Sequence, residues 1–203
     1  MAAAFIMNAL LLSGGMDSTC LAWWKRPDVA IFVDYGQKPA AAEEAAGRAV
    51  CGAIGLRFEV VRSDCSALGS GDMANAPPLS VAPVPEWWPF RNQLILTIAG
   101  AHSLRLGAKS LMIGALSSDG EHADGRIEFI EAISRLMAMQ EGGLTVSAPA
   151  ISLTAPELVM KSGIPKSVLG WAHSCHIGDL ACGLCRGCVK HFKTCEALGW
   201  DPY

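Results

Sequence analysis

Apolar residues arrive along this chain in short runs, each closed by a polar or glycine-rich stretch and followed by a helix-like pattern. Residues 1–12 are apolar apart from Asn8 and lead into a polar stretch at 13–19, after which a helix from about Ser18 to Lys25 stops at Arg26-Pro27. Residues 30–34 form a second apolar run ending in Asp34, with Tyr35-Gly36-Gln37-Lys38-Pro39 behind it and an Ala/Glu-rich helix over 40–52. Residues 58–61 are a third run. Strands that are apolar throughout are those buried on both faces. Strand and helix patterns alternating at this pace predict an α/β fold, a parallel sheet with helices on both faces. In such sheets ligands lie at the carboxyl ends of strands, near a reversal of strand order. Residues 13–18 and 34–38 both fall at such ends. Asp34 there reads equally as a magnesium or nucleotide contact and as a helix cap.

Residues 65–89 differ in kind. They hold Gly69-Ser70-Gly71, Pro77-Pro78, Pro83, Pro85 and Pro89, with Trp87-Trp88 near the end. A connection of this length reads as a lid or substrate loop. Its tryptophans either stack on a base or anchor the loop to the core or a partner chain. Phe90-Arg91-Asn92 then opens a strongly apolar helix over 93–106, whose near-uniform apolarity predicts burial on most sides. A strand at 110–115, a polar loop at 118–129 entering a helix to about Gln140, a short strand at 147–151 and a helix at 155–162 complete the pattern.

Composition narrows the class. With 203 residues and 51% hydrophobic content, one compact domain spanning 1–203 is expected. A net charge of −3 leaves no nucleic-acid footprint. The apolar N-terminal run has no Lys or Arg before Lys25 and continues straight into the polar stretch, so it reads as a buried strand and not a secretion signal. The other apolar region, 94–116, is broken by His102, Arg105 and Lys109, so no stretch is long and clean enough for a bilayer span. A soluble, cytoplasmic protein is expected. In that compartment eight cysteines signal metal before disulfides.

Two stretches carry chemistry. At 13–19, Gly14 and Gly15 let backbone approach an anion closely, while Ser13, Asp17, Ser18 and Thr19 stand where a following helix points free N–H groups at a phosphate. The pattern Ser-Gly-Gly-x-Asp-Ser is not the Gly-x-x-x-x-Gly-Lys-Ser/Thr loop. At the other end, Cys175, Cys182, Cys185 and Cys188 follow C-x6-C-x2-C-x2-C inside a segment at 171–195. Four thiolates so spaced suit a closed, structural Zn²⁺ site; an iron–sulfur cluster is the less favoured alternative. Cys195 is left as a packing residue.

The first motif resembles the loop of the ATP-pyrophosphatase (PP-loop) superfamily. Val-Asp-Tyr-Gly-Gln at 33–37, Arg91-Asn92, Asp124-Gly125-Arg126 with Glu128-Phe129, and the four cysteines follow in order. Together they resemble the 7-cyano-7-deazaguanine synthase (QueC) family over nearly the whole chain. The resemblance implies a Rossmann-like sheet with a C-terminal zinc segment, commonly a homodimer. It implies ATP and Mg²⁺ as cosubstrate and cofactor beside Zn²⁺, with adenylation of 7-carboxy-7-deazaguanine, ammonia displacing AMP, and a second activation giving the nitrile. It implies that Ser13, Asp17, Ser18, Arg91 and Arg126 are catalytic, that ATP is held by Leu12, Ser13, Gly14, Gly15, Met16, Asp17, Ser18, Asp34, Tyr35, Gln37 and Gly114, and that Arg91, Asn92, Asp124 and Arg126 hold the deazapurine acid.

The chain departs from the family pattern in places. Lys38-Pro39 stands where Arg-His is usual, and residues 120–126 keep only Asp124 and Arg126 of Ser-Gly-Tyr-Pro-Asp-Cys-Arg. Leu153-Thr154-Ala155-Pro156-Glu157 replaces Leu-Thr-Lys-Ala-Glu, losing a lysine for which Lys161 is the candidate substitute. These changes fall around the substrate. They leave open a ligase that joins the deazaguanine to a protein amine, as in bacterial antiviral relatives, a thiolating or other amidating PP-loop enzyme, and a zinc-stabilised nucleotide-binding subunit without turnover.

Overall fold

The computed structural model describes residues 6–74 and 76–202, with Glu121 described through its backbone alone. The expected N-terminal strand over 1–12 therefore lies outside the described residues at 1–5; what is described of it is β1, Met7–Leu11. After β1 come α1 (Met16–Lys25), β2 (Val29–Asp34), α2 (Ala40–Ile54) and β3 (Arg57–Arg62). Beyond a long connection lie α3 (Arg91–Arg105), β4 (Ala108–Met112), α4 (Ile127–Ala138), β5 (Thr145–Ser147), α5 (Ala155–Ser162), α6 (Lys166–Leu169) and α7 (Arg186–Ala197). Among the described residues the strands form one sheet in the order β3-β2-β1-β4-β5, every pairing parallel. The parallel α/β sheet that the alternating runs predict, Rossmann-like as the family resemblance implies, is what the chain adopts.

The central strands are apolar throughout because both faces are covered. Ala9, Leu11, Ile31 and Val33 pack on Leu96 and Ala99 of α3 and Ile130 and Ile133 of α4. Their neighbours Leu10, Leu12 and Ala30 face the other way, onto Leu21 and Ala22 of α1 and Cys51 of α2. A further apolar cluster joins Met16 and Cys20 of α1 to Leu158 and Val159 of α5, Val168 and Leu169 of α6, and Cys195 of α7. That cluster fixes the cysteine-bearing end against the helix that follows β1.

Three expectations shift. α3 buries one face only: Leu96, Ala99, Gly100 and Ser103 are buried, while Thr97, Ala101, Leu104 and Arg105 are exposed, because the helix lies on one face of the sheet and turns its other side outward. The last strand lies at Thr145–Ser147 and not at 147–151; Pro149 has no N–H to give a ladder, and the pairing ends where Ser147 O accepts from Ile113 N at 2.9 Å. The stretch 65–89 is held by two short 3-10 turns, Ser66–Leu68 and Gly71–Met73. Of its two tryptophans, Trp88 is only 2% exposed and meets the Tyr35 ring edge-on at 4.9 Å. It anchors the loop to the core.

The sheet reverses between β1 and β4: the chain builds outward through β2 and β3, then returns to the other side of β1. The carboxyl ends of β1, β2 and β4 thus open into one crevice.

Candidate functional site

A cavity of about 540 Å³ fills this crevice, lined by Leu12, Ser13, Gly15, Met16, Asp17 and Ser18 at the end of β1, Tyr35 and Gln37 after β2, and Gly114 after β4. The volume suits a small-molecule site. The loop from β1 turns on Gly14, whose φ is +76° and whose place a Cβ would have to share with Glu43 O, 2.5 Å away. The turn leaves Gly15 as the cap of α1 with no side chain satisfying the first helical N–H groups, the arrangement that receives an anion. Ser13 Oγ lies 3.1 Å from Ser18 Oγ, which also donates to Gly15 O at 3.1 Å. Gly114 passes close beneath: a Cβ there would come 3.2 Å from Ser18 N.

The charged groups divide into three sets. Asp17 Oδ2 accepts from Lys190 Nζ at 2.8 Å, and Lys190 also donates to Asp119 Oδ1 at 3.0 Å. Burial raises the Asp17 carboxyl above its ordinary value against the opposing pull of Lys190. Burial acts against the Lys190 ammonium too, but the two carboxylates outweigh it and its pKa ends above the usual lysine value. The second set is a strap. Glu86 Oε1, in the long connection, lies 3.1 Å from Arg186 Nη1 and 3.7 Å from His122 Nε2. Burial would lift its carboxyl, yet His122 and Arg186 hold it down to about 2. The third set stands beside Tyr35. Gln37 donates from Nε2 to Glu43 Oε2 at 2.8 Å while its Oε1 accepts from Tyr35 N at 2.9 Å. Burial pushes the Glu43 carboxyl up to about 7.

Arg91 opens α3 and lines the cavity. Its Nη1 meets Met73 Sδ at 2.9 Å, and no carboxylate among the described residues pairs with it. His176 lines the cavity as well; burial first, then the nearby Arg91, lowers it to about 4, and among the described residues its buried Nδ1 has no hydrogen-bond partner.

Several residues singled out in the sequence sit elsewhere. Asp124 does not line the cavity: its Oδ2 accepts from Asn92 N at 3.1 Å and its carbonyl from Asn92 Nδ2 at 2.9 Å, so it caps α3. Asn92 does line it, through the same short helix start. Arg126 is exposed and donates from Nε to Gly120 O at 2.8 Å. Asp34 stands behind the wall, accepting from Gly36 N at 3.1 Å, with Arg62 Nε at 3.8 Å. Lys161 lies on α5 with its Nζ 5.1 Å from the Trp24 ring, away from the cavity. Glu157 closes a capping box with Thr154, its Oε2 accepting from Thr154 N at 2.8 Å. Lys190, Asp119, Glu43, Glu86, His122 and Arg186 had no assigned role in the sequence. Arg186 lies inside the cysteine array and Lys190 two residues beyond it, and Asp119 and His122 lie in the polar loop at 118–129, but none of these positions says which groups they meet.

The four cysteine sulfurs lie within 4.8 Å of one another, with Cys182 to Cys188 and Cys175 to Cys185 each at 3.9 Å. Tetrahedral Zn–S bonds of about 2.3 Å set sulfurs roughly 3.8 Å apart, so the cluster fits that ion. Backbone N–H groups of Leu184 and Cys185 donate to Cys182 Sγ, and Cys188 and His176 donate to Cys185 Sγ, favouring thiolates. The cluster touches the phosphate loop through the backbone, since His173 N donates to Gly14 O at 2.9 Å. Cys195 is buried apart, in the apolar cluster with α1 and α5. Among the described residues no helix is long and apolar enough to cross a membrane.

A family model described as Queuosine biosynthesis protein QueC matches residues 8–199. The chain is 32% identical to a protein named 7-cyano-7-deazaguanine synthase from Desulforudis audaxviator (strain MP104C), over 94% of this chain and 96% of that one. It is 32% identical to one of the same name from Koribacter versatilis (strain Ellin345), over 94% and 89%, and 27% identical to one from Methanosarcina barkeri over 93% of both. A match that runs from β1 through the cysteine segment takes in every wall of the cavity, and the chain belongs to the QueC family.

Proposed function

We propose that this protein is an ATP-dependent, amide-forming enzyme that adenylates the carboxylate of 7-carboxy-7-deazaguanine and passes the acyl group to an amine; with ammonia, a second activation yields 7-cyano-7-deazaguanine. The observation that carries the reading is one cavity holding both an uncapped helix N-terminus at Gly15 and an arginine, Arg91, without a carboxylate partner among the described residues. The first suits phosphates; the second suits a carboxylate.

A carboxylate is a poor electrophile, and adenylation gives it a leaving group. In this site Ser13, Ser18 and the N–H groups at the start of α1 hold the polyphosphate, and Arg91 aims the acid at the α-phosphorus. Positioning and fixed dipoles then supply most of the rate. Asp17 and Asp119 are the carboxylates that would hold a Mg²⁺ ion, which would offset phosphate charge. The zinc site is structural, with no open position.

One observation favours keeping a second acceptor in view. The loop at 120–126 departs from the family pattern, and in it Asp124 caps α3 while Arg126 is exposed and donates to Gly120 O. A protein amine in place of ammonia is the corresponding reading. Both are tested by mixing the protein with ATP, Mg²⁺, ammonia and 7-carboxy-7-deazaguanine. AMP formation dependent on the acid is expected, with an Arg91→Ala protein slowed about 10²-fold or more. Mass analysis assigns the product: nitrile with ammonia, or mass added to a protein amine. Absence of acid-dependent AMP sinks the proposal.

A further inference from the structure

Among the described residues, Lys190 is the basic side chain that ion-pairs with the loop after β1. Its Nζ sits between Asp17 and Asp119, 2.8 and 3.0 Å away, inside the cavity. The stretch 154–156 reaches the same cavity with Thr154, Ala155 and Pro156, none of which bears charge. Lys161 is held at the Trp24 ring. Asp17 and Asp119 engage the Lys190 ammonium; were the two carboxylates to hold a magnesium ion brought with a nucleotide, the ammonium would be free to turn to phosphate oxygen.

We propose that Lys190 is a catalytic residue that contacts the β- and γ-phosphates of bound ATP and stabilises pyrophosphate as it leaves. The assignment rests on the carboxylate-activating reading above. In the step, a carboxylate oxygen of the acid bonds to the α-phosphorus. The bond from that phosphorus to the α,β-bridging oxygen breaks, and its electron pair departs with pyrophosphate. No proton is needed, and the charge gathering on the leaving group is what the ammonium offsets. The residue rides on α7, whose cap is Cys185 and whose first turn holds Cys188, so the cysteine cluster sets where the ammonium stands.

The test compares binding of ATP and of AMP, each with Mg²⁺, to the zinc-loaded wild type, Lys190→Met and Lys190→Arg proteins. Lys190→Met should weaken ATP about ten-fold or more, as loss of a charge-assisted hydrogen bond does, and leave AMP unchanged. Lys190→Arg should recover most of the ATP affinity. Acid-dependent pyrophosphate release should fall roughly 10²–10³-fold in Lys190→Met. If ATP and AMP affinities change alike, or neither changes, the assignment is overturned. A second measurement needs no variant: in the native protein, Lys190 should be protected from an amine-acylating reagent by ATP and not by AMP, and equal acylation overturns the assignment. If the wild type shows the ATP-specific protection but makes no AMP with the acid, carboxylate activation fails and the phosphate contact stands.

Discussion

At the scale of single residues, the cavity is built from pairs that lie far apart in the chain. Lys190 and Asp17 are 173 positions apart, Arg186 and Glu86 are 100. Ser13, Asp17 and Ser18 were legible because a phosphate loop is one contiguous stretch; Lys190, Glu86 and His122 were not, since nothing local in their surroundings marks which loop they will meet. Asp124 was legible as a polar residue near the site, but its carboxylate goes to the start of α3, a choice made by packing. Glu43 gives a pH-dependent consequence. Its carboxyl stands at about 7 in the fold against an ordinary 4.5, so the fold prefers it protonated. The stability this group contributes is full below about pH 4.5 and is lost as pH rises through about 7. Glu43→Gln, which keeps the shape and drops the charge, should raise Tm at pH 8 by about 2–4 °C, the equivalent of roughly 1 kcal/mol. At pH 4.5 the two proteins should melt alike. Parallel Tm–pH curves for the two would contradict the assignment.

At the scale of elements, hydrophobic runs named the strands well because a central parallel strand must be apolar on both faces, as Ala9 to Leu11 are. The same apolarity overstated α3, where composition does not distinguish a buried face from an exposed one. The start of α3 depends on another segment. Phe90 before it takes φ +54°, and the N–H of its second residue, Asn92, looks to Asp124 for an acceptor. Asp124→Ala should cost about 1 kcal/mol, as loss of a helix cap does, lowering Tm by about 2–4 °C. Because Arg91 is the first residue of the helix, the same change should raise KM for the acid more than KM for ATP. An unaltered ratio of the two KM values would show that the cap does not position Arg91. By contrast, α5 could be read directly, since Thr154 and Glu157 form their capping box within four residues.

At the scale of the whole molecule, the cysteine cluster and the phosphate loop are one structure. The backbone of His173 donates to Gly14, α7 delivers Lys190 to Asp17, and Arg186 ties Glu86 down. Stripping zinc with a chelator should therefore remove more than local order. Structural zinc binding is worth about 10–16 kcal/mol in small zinc peptides; losing even about 4 kcal/mol here would lower Tm by roughly 8–16 °C. ATP affinity should fall with it. A zinc-stripped protein that melts and binds ATP like the loaded one would separate the two sites.

The strap centred on Glu86 has a consequence in time as well as in space. The sheet is complete once residue 147 has paired, whereas the wall that encloses the cavity needs Arg186 and Lys190. During synthesis the strands and their covering helices are made first, with the crevice still open along one side. Every strand of the described sheet lies within the first 147 residues, and a fragment that stops there lacks the side chains that close the crevice.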